Sequence, residues 1–141
     1  MAGKSIRASD VGSYAFISSS KPAYLEITLR DDGAGGVIVD KPPMDLARGG
    51  NHIMWWIGND TRNQHRVTLQ NFRDAFTNAP EWPFEDPEPA PTEVVDAGQT
   101  GRIRLKTKDR GPGGRRGFVR YAYDVVVDGV PLEPELVIEW P

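Results

Sequence analysis

Apolar and polar residues alternate along this chain with a period of two, in a series of short stretches. In residues 24–30, Leu25, Ile27 and Leu29 fall on one side and Tyr24, Glu26, Thr28 and Arg30 on the other. Successive side chains of an extended backbone point to opposite faces, so this is the pattern of a strand with one face buried. Residues 65–72 repeat it, with His65, Val67 and Leu69 opposed to Arg66, Thr68 and Gln70. Residues 52–57 precede them across a polar loop carrying Gly58, Asn59, Asp60 and Asn63, which predicts two neighbouring antiparallel strands at the centre of the fold. The phase set by Ile53 and Ile57 puts Trp55 inside and Trp56 outside. Further strands are predicted at Val37–Asp40, at Thr100–Lys106 with Ile103 and Leu105 inward, at 118–127, and at Glu135–Trp140. The longest, 118–127, places Val119, Tyr121, Tyr123, Val125 and Val127 on one face.

The intervals carry turn chemistry. Gly-rich runs at 31–36, 49–50 and 111–117 tolerate positive φ, and Asp128-Gly129 is a strong turn pair. Pro42-Pro43 ends the short second strand, because proline cannot donate to a ladder. Residues 73–78 fit one helical turn, and 94–98 read as a turn. Prolines at 80, 83, 87, 89 and 91 forbid a helix or central strand there, so this is an extended excursion over the surface, with Trp82 and Phe84 available to pin it. Residues 1–22 are Ser-rich, with Tyr14-Ala-Phe-Ile17 as their apolar cluster, and read as an arm holding one edge strand. The domain proper is 23–141. No repeat period and no long helical stretch appears, so the expected class is all-β, a Greek-key sandwich or barrel.

Composition narrows the chemistry more than the fold. The 141 residues suffice for one domain with its own core, and 38% hydrophobic with 26% charged residues is a globular balance. Cysteine is absent, which removes disulfides, thiolate nucleophiles and cysteine-based metal sites together. No apolar run approaches the roughly 18 residues of a membrane span, and the first residues lack the apolar core of a leader peptide. A soluble cytoplasmic protein without membrane contact is the expectation. Neither G-x-S-x-G nor H-E-x-x-H occurs, and no glycine-rich strand-to-helix loop is present to cradle phosphate. Asp124, Asp128, Glu133 and Glu135 cluster near the last turn, where turn chemistry and a solvated face account for them.

The order G-x-x-I-x-W-W-x-x-N-D, loop, H-x-V-T, proline-rich excursion, basic strand, Y-x-Y strand and final strand resembles the cupredoxin family, of the plastocyanin and azurin type. The resemblance covers 49–72 and 98–140 and implies a Greek-key sandwich. It also implies that His65 stands where the family has its first copper ligand. The family's ligand cysteine is expected where Val125 stands, and no histidine or methionine follows His65. The residues say the same independently. A blue-copper centre takes two imidazoles and a thiolate with a weak axial ligand, whereas this chain has two histidines and no thiolate. With His52 and His65 at opposite ends of neighbouring strands, their separation is about 17–20 Å. No metal or other cofactor is expected, and His65 reads as a hydrogen-bonded core or rim residue.

Charge is the more informative residue-level feature. Net charge is −3, yet Arg102, Arg104, Lys106, Lys108, Arg110, Arg115, Arg116 and Arg120 concentrate in 102–120, read as one hairpin with its loop. Glu81, Glu85, Asp86, Glu88, Glu93 and Asp96 gather in and after the excursion. Such segregation orients a charged partner, although lysine and arginine also protect an exposed edge from unwanted pairing. Two function classes follow. One is a non-catalytic, metal-free binding or assembly module that contacts a protein partner, or copies of itself, through Lys106, Lys108, Arg110, Arg115 and Arg116 with Trp82 and Phe84. The other is a nucleic-acid-binding accessory domain using the same hairpin for phosphate contacts. An acidic pI and few aromatics among the arginines weigh against the second. For the metal, elemental analysis of the purified chain is expected to show no stoichiometric copper or zinc, and His65→Ala to change stability without any visible absorption being lost.

Overall fold

Ten strands and one 3-10 turn are the regular structure of the computed structural model, which describes residues 23–40, 46–132 and 134–141. The predicted arm at 1–22, the Pro42-Pro43 stop and Glu133 lie outside the described residues. In chain order the strands are β1 (Ala23–Asp31), β2 (Val37–Asp40), β3 (Leu46–Arg48), β4 (His52–Asp60), β5 (His65–Asp74), β6 (Glu93–Val95), β7 (Thr100–Lys106), β8 (Gly117–Val127), β9 (Val130–Leu132) and β10 (Glu135–Trp140). They form two sheets, β2-β1-β4-β7 and β3-β10-β8-β5-β6, with β9 pairing β8 past the end of β10. The fold is an all-β sandwich, as the alternation requires.

The pairing differs from the expected one in an instructive way. β4 and β5 do not pair. β4 lies between β1, parallel to it, and β7, antiparallel; β5 lies in the other sheet between β8 and β6. The loop between them is therefore an arch from one sheet to the other. Both strands have a fully apolar inward phase, and two facing sheets let Ile53, Trp55 and Ile57 meet Val67 and Leu69 across one interior. β7 and β8 are separated likewise, so 102–120 is not a hairpin but a strand, an inter-sheet crossing and a second strand. Residues 94 and 95, expected to open a turn over 94–98, instead belong to β6 along β5 and bury Val95. The turn expected at 73–78 begins later than that: β5 continues to Asp74, whose carboxylate then accepts the N–H groups of Phe76 and Thr77 at 2.8 and 3.0 Å.

The interior matches the apolar phases closely. Trp55, Val67, Leu69, Ile103, Leu105, Tyr121, Tyr123 and Ile138 are each at most 1% exposed. At its centre the Trp55 indole N–H donates to the Tyr123 hydroxyl at 3.1 Å, joining the two sheets. Phe72 stacks on Tyr123 with ring centroids 4.8 Å apart, and Phe84 meets Phe72 and Trp55 edge-on. Phe72 reaches this cluster through a β-bulge between Gln70 and Arg73, where Asn71 takes φ 57° and shifts the strand's phase by one residue. Trp56, on the outer face, carries the Arg102 guanidinium over its ring.

Tyr123→Phe removes the acceptor of a buried indole N–H and is expected to cost about 1–3 kcal/mol in urea unfolding. The same change in a Trp55→Phe background is expected to cost much less, because no donor is then left unpaired.

Candidate functional site: the basic crossing between the sheets

The basic residues leave β7 at Lys106 and enter β8 at Gly117, crossing one end of the sandwich. Backbone groups anchor the start of the crossing. The Thr107 N–H and hydroxyl both donate to the Asn51 carbonyl at 2.9 Å, the Lys108 N–H donates to the Pro83 carbonyl at 2.9 Å, and the Lys108 carbonyl accepts the Trp140 indole at 2.8 Å. A single 3-10 turn, Pro112–Gly114, follows. Gly111 is needed there because a Cβ would lie 2.2 Å from the Arg115 carbonyl oxygen.

Two of the five predicted contact cations are already committed within the chain. Arg115 reaches Asp74 at 2.6 Å and Glu81 at 3.0 Å, and the other Glu81 oxygen accepts the Tyr121 hydroxyl. Lys106 reaches Glu85 at 2.8 Å and Asp109 at 3.1 Å, while its backbone N–H donates to Asp86 at 2.6 Å. The acidic excursion is thus clamped onto the basic crossing of its own chain, and these carboxylates are not offered to a neighbour. Electrostatics follow the geometry. Burial alone would raise the Asp74 carboxyl, but the Thr77 N–H, the Arg115 guanidinium and the Phe76 N–H outweigh it and hold the group below the ordinary carboxylate range. Burial, reinforced by Glu81, pushes the Tyr121 hydroxyl far above its usual value, so it stays a donor.

Phe84 is 1% exposed and sits in the core, so it pins the excursion and presents no surface. Trp82 is half-buried against Phe72 and donates its indole N–H to the Asp86 carbonyl at 2.7 Å. Both serve the pinning role; the contact role assigned to Phe84 is excluded by its burial. Arg120, counted with the exposed cations, is 7% exposed and ion-paired to Glu135. Lys108, Arg110 and Arg116 remain, with no side-chain partner among the described residues. Arg110 and Arg116 line a cavity of about 340 Å³ together with Asp109, Arg115, Trp140 and Pro141. The sequence did not single out Asp74 or the Tyr121–Glu81 contact, since both depend on the excursion folding back over β8.

His65, the remaining candidate, is 6% exposed. Its Nδ1 lies 2.5 Å from Asp128 and its Nε2 2.8 Å from the Thr61 hydroxyl, tying the arch to the β8–β9 turn. Asp128 also accepts the Arg66 N–H at 2.9 Å, and these hydrogen bonds lower its carboxyl. No group of three metal-ligating side chains occurs among the described residues, and no helix among them is long and apolar enough to cross a membrane.

No protein-family model matches the chain, and no curated protein matches it in sequence. Solved structures do. The CupB2 chaperone of Pseudomonas aeruginosa superimposes with a TM-score of 0.53 at 10% identity, over 69% of this chain and 52% of its own. A chain of the CsuC–CsuE chaperone–tip adhesion subunit pre-assembly complex of Acinetobacter baumannii does so with 0.51 at 13%, over 69% and 49%. The McoA multicopper oxidase of Aquifex aeolicus gives 0.49 at 12%, over 87% and 30%. The chain spans between 30% and 52% of the length of these structures, and what is shared is the β-sandwich.

Arg115→Ala is expected to lower stability by roughly 1–3 kcal/mol, since it strips the cation from the nearly buried Asp74. Arg110→Ala and Arg116→Ala are expected to stay within about 0.5 kcal/mol of wild type. Urea midpoints of the three variants check both expectations.

Proposed function

We propose that this chain is a non-catalytic binding or assembly module, a metal-free sandwich of the cupredoxin-like kind that holds an acidic protein surface on the Lys108, Arg110 and Arg116 face. The observation that carries this reading is the division of the cations. Lys106 and Arg115 are neutralised by carboxylates of their own chain, whereas Lys108, Arg110 and Arg116 have no side-chain partner among the described residues, and the last two line a cavity with Trp140 and Pro141. Edge protection does not require this, because the crossing is a connection and not a sheet edge. Guanidinium groups suit bidentate docking on carboxylates, and the anchored base of the crossing pre-pays part of the ordering cost of a complex. Among the structural neighbours one sandwich is a chaperone and another belongs to a chaperone–tip adhesion subunit pre-assembly complex, so the scaffold is compatible with protein contact.

The nucleic-acid reading uses the same three cations and differs in its salt dependence. Binding of poly-L-glutamate and of a short DNA duplex, each titrated against salt, separates the two. The expected outcome is poly-L-glutamate binding that Arg110→Glu/Arg116→Glu abolishes, with weaker affinity for the duplex. Tighter duplex binding, with affinity falling steeply as salt rises, favours the phosphate-binding reading instead.

A further inference from the structure

The end of the sandwich opposite the basic crossing carries reciprocal features. β8 runs from Gly117, beside the crossing, to Val127, so the two ends lie about 35 Å apart. At the far end β2, the edge of the first sheet, and β9, along β8 in the second, splay around a cavity of about 190 Å³ lined by Val37, Val39, Val127, Val130 and Leu132. Val130 is 65% exposed at the mouth of this cavity, an apolar opening that edge strands ordinarily avoid. Its rim is acidic. Asp128 lines the cavity with a side chain 47% exposed, and Asp31 is exposed directly across the ladder from Val37. Asp60 is exposed opposite Arg30, whose own guanidinium is taken by Asp40 at 2.9 Å. Arg62 and Arg66 are the exposed cations beside the arch.

At the basic end the arrangement is the inverse. Phe118 is 47% exposed on the outer face of β8, two residues from Arg116. One end therefore offers an apolar knob beside guanidinium groups, and the other an apolar cleft ringed by carboxylates. A two-fold pairing of either end with itself would set like charges against each other, whereas end-to-end contact satisfies both the charge and the apolar surface.

We infer that the partner of the basic end is a second copy of this chain, with Phe118 seated in the Val37–Val130 cleft of the next molecule and Arg110 and Arg116 facing its exposed Asp31 carboxylate, since the Asp128 oxygens already accept from His65 and the Arg66 N–H. This rests on the basic crossing being a contact surface and adds the identity of the partner. Such a contact is heterologous and does not close on itself, so it propagates as an open chain of molecules.

Sedimentation velocity of the full chain tests it. At low salt the average mass is expected to rise with concentration past that of a dimer, and to return to the monomer at high salt. Arg110→Glu/Arg116→Glu disables one end and Asp31→Lys/Val130→Arg the other, all at exposed positions, with near-ultraviolet circular dichroism checking the fold. Each variant alone is expected to be monomeric, and an equal mixture to give dimers and nothing longer, since each supplies the end the other lacks. Poly-L-glutamate added to wild type is expected to shorten the assemblies without any substitution. Wild type that stays monomeric throughout, variants that still dimerise alone, a mixture that stays monomeric, or assemblies indifferent to poly-L-glutamate would each overturn the inference. Monomeric wild type that still binds poly-L-glutamate would remove self-association and leave the acidic-partner reading standing.

Discussion

The contact between Trp55 and Tyr123 holds the two sheets in one register. Trp55 belongs to the central strand β4 of the first sheet and Tyr123 to the central strand β8 of the second. Both are fully buried, and the indole N–H finds its acceptor only on the opposite sheet. An unpaired polar group at that depth costs more than the hydrogen bond returns, so the two sheets must face each other with these residues opposed. The rest of the aromatic cluster depends on that placement. Phe72 stacks on Tyr123, and Phe84 fills the angle between Phe72 and Trp55, which draws the proline-rich excursion down over the edge of the core.

That excursion in turn decides the electrostatics of the basic end. Once Phe84 is seated, Glu81 and Glu85 fall beside Arg115 and Lys106, and Tyr121 donates to Glu81 from the rim of the core. A cluster of cations that looks uniform along the chain is thereby split into two populations. One closes the fold, at positions where reversal of charge would oppose nearby carboxylates. The other, Lys108, Arg110 and Arg116, has no side-chain partner among the described residues, so its charge is not used in closing the fold. The carboxylates that gather in the excursion thus neutralise cations of their own chain, a pairing that the segregation of charge along the sequence did not reveal.

By itself, the sequence determined the seven longer strands and which side of each is buried, but not the three-residue strands β3, β6 and β9. Alternation is a local property of an extended chain, and a one-residue slip would have turned every buried group outward; the expected core residues are all interior. The missing thiolate and the scarcity of histidine were equally legible, because composition bounds ligand chemistry without geometry. Which strand pairs with which was not legible. A loop from β4 to β5 reads the same whether it closes a hairpin or arches between sheets, since both arrangements bury the same phases. The break in phase that turns Phe72 inward was hidden too, as a bulge at Asn71 leaves no periodic signal in so short a strand. Long-range contacts alone decided that Arg115 is structural and Arg116 free. The two are adjacent and chemically identical, and what distinguishes them is that Asp74 and Glu81, some forty residues earlier in the chain, are brought to one of them and not to the other.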